Sequence, residues 1–179
     1  TSCNRFDLLE RSLKSFMDRC QHRPSRIVIV EDSDQPQPEF VKQYRHIPTT
    51  WINNGQRLGQ VFSIERLIRE IKTEWVFWTE DDFEFTNSEF LRQSLAILEK
   101  YPEISLVALR GPDDWFHPVS SDPKYPFKIA EPYVRGVWGG WTWNPGLRRL
   151  SDMKRFSPVS KFAGYANGYD HEAQLSMAY

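Results

Sequence analysis

The chain has 179 residues, with 23 Lys and Arg against 24 Asp and Glu, a balance that leaves no basic excess for nucleic acid and no acidic tail. Its length suits one domain spanning 1–179, and no apolar run approaches the roughly 20 residues that cross a bilayer. Aromatic residues make up 15% of the chain, seven of them Trp, and such faces serve sugar rings and nucleobases as readily as cores, so composition leaves these uses open.

The sequence opens at Thr1 without an initiator Met, as an excised domain would. Leu9, Leu13, Phe16, Met17 and Cys20 fall at helical spacing, with Asn4 or Asp7 available as cap and Pro24 as terminator. Cys3 and Cys20 lack a metal spacing, which favours free thiols in a reducing, cytoplasmic setting, one disulfide remaining open. Residues 26–30 form a continuous β-branched run that reads as a buried parallel strand, and it ends in Glu31 and Asp32. A short helix over Glu39 to Tyr44 and a weak strand over Thr50 to Asn53 follow. Asn54-Gly55 signals a turn, and Leu58 to Ile71 has the pattern of an amphipathic helix.

Residues 75–79 then make a second buried strand, which runs straight into Glu80-Asp81-Asp82. Adjacent carboxylates repel one another unless water, a cation or basic groups compensate them. Mn²⁺ or Mg²⁺ suits such a cluster, because each takes oxygen ligands from one or two carboxylates plus substrate phosphates. The competing reading is a solvated acidic turn before a helix, with Thr86-Asn87-Ser88-Glu89 as its capping box. Leu91, Leu95 and Leu98 mark that helix, Pro102 closes it, and 104–109 forms a further strand. This alternation implies an α/β fold, Rossmann-like, with a mainly parallel sheet and helices on both faces. Residues 111–133 read as an irregular excursion, 134–143 as a glycine-interrupted aromatic strand, and Asn144 to Leu150 as the opening of a short helix whose Arg148 and Arg149 either approach phosphate or an anionic acceptor or, as is commoner in an exposed turn, are solvated. Residues 170–179 read as a helix that stops without a C-cap, so both ends look cut.

Taken together, Thr1 to Arg5, Ile27 to Asp32, Asn53 to Gly59, Glu80-Asp81-Asp82 and Trp138 to Arg149 resemble the nucleotide-sugar glycosyltransferases of the A-type fold, above all the large inverting family 2 of bacterial polysaccharide enzymes. The resemblance covers nearly the whole chain and implies a first strand upstream of Thr1. It implies a nucleoside-diphosphate sugar donor, a saccharide or other hydroxyl acceptor, and Mn²⁺ or Mg²⁺. By the same resemblance Glu80-Asp81-Asp82 is an Asp-x-Asp-type signature, with Asp82 the principal metal ligand and Glu80 near the donor ribose or the metal. Glu31 or Asp32 reads the nucleobase in a pocket that Thr1 and Cys3 line. Glu172 falls at the catalytic base position, with Asp170 its rival, although Asp-His-Glu replaces the usual adjacent Glu-Asp.

Two other classes compete. A non-catalytic nucleotide- or sugar-binding domain could share the scaffold. A nucleotidyltransferase would want a glycine-rich phosphate loop, which Thr1 to Asp7 lacks, and a metal hydrolase would want clustered histidines, whereas His22, His46, His117 and His171 are scattered.

Overall fold

The computed structural model describes residues 1–110, 119–130, 141–163, 172, 174–176 and 178. Helix α1 (Phe6–Arg19) buries Leu9, Phe16 and Met17 on one stripe and stops at Cys20, whose extended backbone still donates to the Phe16 carbonyl at 2.7 Å. Neither Asn4 nor Asp7 caps it. Arg5 stands at the N-cap without a side-chain cap bond, and its guanidinium is used elsewhere. Strand β1 (Ile27–Glu31) pairs in parallel with β2 (Thr49–Asn53), in register from Ile27↔Thr49 to Glu31↔Asn53, with a 3₁₀ turn at Glu39–Tyr44 between them.

Helix α2 (Gln60–Glu70) leads to strand β3 (Trp75–Trp78), helix α3 (Phe90–Lys100) and strand β4 (Leu106–Ala108). Side chains along β3 alternate. Val76 and Trp78 join the core formed with Ile64, Leu67 and Ile68 of α2, whereas Phe77 packs on Phe16 of α1 and on Phe85 and Phe90. In β1, Ile27 and Ile29 face Leu9 and Val41, while Val28 and Val30 face α2. A strand apolar on both sides must be covered on both sides, and helices lie on both faces as the alternation implied. No helix among the described residues is long and apolar enough to cross a membrane.

Three local expectations need correction. Helix α3 begins at Phe90 with no side-chain cap; Asn87 Oδ1 instead accepts the Glu89 N–H at 2.8 Å, so the capping box is not made. Within 111–133 the described residues form a small antiparallel hairpin of β5 (Val119–Ser120) and β6 (Ile129–Ala130). The expected short helix from Asn144 is strand β7 (Gly146–Arg149), inserted antiparallel between β3 and β4, and helix α4 (Leu150–Lys154) starts only after it. Ladder bonds on both flanks override the Pro145 signal: Leu109 N–H donates to the Pro145 carbonyl at 2.7 Å and Leu150 N–H to the Glu74 carbonyl at 2.8 Å. Among the described residues, β3-β7-β4 is therefore an antiparallel-paired sheet separate from the parallel pair β1-β2. Of the expected aromatic strand, Trp141 to Trp143 are not in a strand, and 134–140 lie outside the described residues.

Gly146 explains why β7 fits. A Cβ there would lie 2.5 Å from the Val107 carbonyl oxygen and 3.2 Å from Ala108 Cα, both backbone atoms of the neighbouring strand. Gly146→Ala is expected to lower stability by about 1–3 kcal/mol, the usual cost of forcing an extra methyl into a packed interior. A urea titration checks this through a lower midpoint at unchanged slope; a wild-type midpoint would mean that β4 yields freely.

Candidate active site

The C-terminal ends of β1 and β3 are drawn to one crevice by residues 1–5. Ser2 N–H donates to the Val30 carbonyl at 2.9 Å and its carbonyl accepts Asp32 N–H at 2.8 Å, while the Thr1 amine reaches the Thr79 carbonyl at 3.2 Å. Glu31-Asp32 and Glu80-Asp81-Asp82 therefore lie near each other at the C-terminal ends of strands from two separate sheets, the kind of place where α/β folds build ligand sites.

The two carboxylates after β1 differ in what they leave open. Asp32 is 5% exposed and spent on the loop before α2, its Oδ1 accepting from Asn54 Nδ2 at 2.7 Å and Leu58 N–H at 2.8 Å, its Oδ2 from Gly59 N–H at 2.8 Å. Gly59 takes φ 97°, a conformation that favours glycine, and so brings its N–H to that carboxylate. Glu31 is fully buried; Oε1 accepts from Asn4 N–H and Ser33 Oγ, both at 2.6 Å, whereas Oε2 has no partner among the described residues. A buried carboxylate oxygen without a donor is costly, and a ligand N–H would satisfy it. Cys3 donates its thiol to the Asp32 carbonyl at 3.3 Å, and burial pushes that thiol up. Cys3 and Cys20 are both free.

After β3 the three acids also diverge. Asp81, 1% exposed, is gripped by Arg5 through both oxygens, with Nε at 3.1 Å and Nη2 closer still. Arg5 Nη1 also reaches Asp82 Oδ2 at 3.3 Å, but the Asp82 side chain is 43% exposed and its other oxygen has no partner among the described residues. Glu80 accepts from Gln60 Nε2 at 2.5 Å; burial raises its pKa, and the Gln60 bond opposes that rise. Among the described residues no three His, Cys, Asp or Glu side chains form a ready metal cage. The donor set still fits a hard cation that takes one or two carboxylates and completes its shell with water and phosphate oxygens. Asp82 and Glu80 are suited to that. Asp81 is not, because Arg5 already neutralises it.

Within electrostatic reach of Glu80 is Glu172, partly buried, with Oε1 accepting the Trp143 N–H at 2.7 Å. Burial pushes its carboxyl up to about 7, the nearby charge of Glu80 adds to that, and the Arg148 and Arg110 guanidiniums pull the other way. Arg148, expected in solvent, is fully buried in β7, its guanidinium 6.0, 5.6 and 5.5 Å from the Trp78, Trp141 and Trp143 rings. It donates to the carbonyls of Thr142 at 2.9 Å and Asn144 at 3.0 Å, so it fixes the turn that aims Trp143 N–H at Glu172. Burial lowers its pKa to about 9, and the nearby charges of Glu172 and Glu80 oppose that fall. Asp170 lies outside the described residues.

Sequence reasoning missed Arg5 and Gln60 as site residues, and for Arg148 it weighed a contact to phosphate or acceptor but not a place in the core. For Arg148 the available signal was a basic residue inside a short Gly-flanked segment next to three tryptophans; for Gln60 there was none.

The model of the family described as glycosyl transferase family 2 matches residues 1–172. A sequence search of curated proteins finds no match. Among solved structures the chain is similar to S. aureus TarS in complex with UDP-GlcNAc, at 15% identity and a TM-score of 0.61, covering 99% of this chain and 52% of that one. It is similar to the mannosyltransferase PcManGT from Pyrobaculum calidifontis in complex with GDP-Man and Mn²⁺, at 14% identity and a TM-score of 0.60, covering 97% and 50%. A 2-C-methyl-D-erythritol 4-phosphate cytidylyltransferase from Thermus thermophilus follows at 16% identity and a TM-score of 0.54, covering 96% and 73%. At these identities the likeness shows a shared fold. The chain spans about half the length of the TarS 1-349 and mannosyltransferase chains.

Proposed function

Because the chain belongs to glycosyl transferase family 2, we propose that this crevice transfers a sugar from a nucleoside-diphosphate sugar to a hydroxyl of a saccharide or other acceptor, with inversion at the anomeric carbon. The observation that carries this reading is the electrostatic proximity of two unlike acidic centres. One is Glu80, at the head of the acidic strand end, and the other is the partly buried Glu172 with a pKa pushed up to about 7, both within electrostatic reach of Arg148. Such a pair separates the two tasks of a direct displacement. Glu172 takes the proton of the acceptor hydroxyl as its oxygen bonds to the anomeric carbon, and the bond from that carbon to the diphosphate oxygen breaks. Mn²⁺ or Mg²⁺, when bound, would be held by Asp82 and Glu80 and would stabilise the charge on the departing diphosphate. Glu31 Oε2 suits the ring N–H of a base such as uracil or guanine.

Calorimetry with UDP- and GDP-sugars, each with and without Mn²⁺, tests the donor half: metal-dependent binding of one of them is expected, and no nucleotide binding would sink the reading. The acceptor half has a pH signature. A base must be unprotonated, so kcat should rise about tenfold per pH unit below about 7, where Glu172 titrates, and level off above it. A profile flat from about pH 5.5 to 8.5 would remove Glu172 from the base role.

A further inference from the structure

Building on the role of Glu172 as the base, we propose that Arg148 is its positioning residue, acting through the single peptide group that joins Thr142 to Trp143. Arg148 Nη1 donates to the Thr142 carbonyl at 2.9 Å, and the N–H at the other end of that same peptide, on Trp143, donates to Glu172 Oε1 at 2.7 Å. A trans peptide points its C=O and N–H to opposite sides, so guanidinium, peptide and carboxylate follow one another in one hydrogen-bonded series. Thr142, Trp143 and Arg148 are all fully buried. In such a low dielectric each bond polarises the next, and a cation on the carbonyl makes the N–H a better donor to an ionised carboxylate.

Arg148 is itself firmly placed. Its Nη2 donates to the Asn144 carbonyl at 3.0 Å, so the planar fork spans both ends of a turn that Thr142 Oγ1 closes by accepting the Asn144 N–H at 3.0 Å. Strand β7 is laddered to β3 and β4 on its two sides, and β3 runs on into Glu80. Glu172 is thereby held against the same sheet that carries the acidic strand end. Core packing alone does not call for a cation here. The hydrogen bonds of Arg148 go to neutral carbonyls, and its Nε has no partner among the described residues. Burying such a charge is costly, and the three indole rings around it offset that cost only in part. An apolar side chain would fill the space and lose the hold on Glu172.

The charges around Glu172 give this hold a sign. Among the described residues, burial and then Glu80, at the end of β3, oppose its ionisation, whereas the Trp143 N–H, Arg148 in β7 and Arg110 after β4 favour it. Without Arg148 the carboxyl keeps its proton to higher pH, and the Trp143 N–H is a weaker donor to it.

The test follows the Trp143 backbone amide and the Arg148 Nε–H by NMR from about pH 5.5 to 8.5, with no substrate present, in the wild type, Glu172→Gln and Arg148→Met. In the wild type both signals should move with one midpoint at about 7, and Glu172→Gln should abolish both movements. Arg148→Met should raise the Trp143 midpoint by about one pH unit, and the acid limb of kcat should move up with it. An Arg148 that only packs the core would lower the melting temperature and leave the midpoint in place. A Trp143 amide that titrates in Arg148→Met as it does in the wild type would therefore overturn the proposal. Should that variant not fold, wild-type Trp143 and Arg148 signals that share no midpoint would overturn it equally. The shared midpoint beside a kcat that is flat with pH would remove the base role from Glu172 and uphold its tie to Arg148.

Discussion

Replacing Glu172 with Gln is expected to cut kcat by about 10²–10⁴-fold while donor and metal affinity stay as in the wild type. Glutamine keeps the carbonyl oxygen that accepts Trp143 N–H, so the turn built on Arg148 retains its anchor. What it loses is the capacity to take a proton. In a direct displacement that capacity acts only on the acceptor, which makes donor binding the internal control. Asp170→Asn should be mild, because Glu172 is the position that falls in register with the family's base. Transfer at the wild-type rate by Glu172→Gln would show the base to be elsewhere. A wild-type chain that binds nucleotide sugar and transfers to no acceptor would favour the non-catalytic binding domain instead.

The parts of this fold legible in the sequence are those where local pattern and tertiary placement agree. The β-branched runs of β1 and β3, the apolar spacing of α1, α2 and α3, and the acids at the strand ends all point the same way, and the bounds of β1, β2 and β3 differ from expectation by a single residue. Strand β7 was hidden because its identity is set by neighbours distant in sequence. Gly146 to Arg149 has no alternation to read, and only the ladders from β3 and β4 make it a strand. Arg148 was hidden for the same reason, since a guanidinium becomes a core residue only when three indole faces and two carbonyls from other segments surround it. The acidic triplet was visible as a cluster. Its division of labour was not, because that depends on Arg5, which lies 76 positions from Asp81 in sequence.

That division predicts opposite phenotypes for adjacent acids. Asp82→Asn is expected to weaken metal-dependent donor binding by at least about 10²-fold, a loss of ~2.7 kcal/mol, while leaving stability within about 0.5 kcal/mol of wild type. Its pair with Arg5, at 3.3 Å and half in water, is of the kind that contributes little to folding. Asp81→Asn should do the reverse. Its carboxylate is 1% exposed and bound through both oxygens to Arg5, so the amide leaves a charged guanidinium against a donor where an acceptor stood, at a cost of about 1–3 kcal/mol in stability. Residual donor binding by the folded fraction should still respond to Mn²⁺. Urea titration and Mn²⁺-dependent calorimetry on both variants separate the two effects. If Asp82→Asn binds donor and Mn²⁺ as the wild type does, Glu80-Asp81-Asp82 is a structural turn held by Arg5, and the cation, if one is used, takes its ligands from elsewhere.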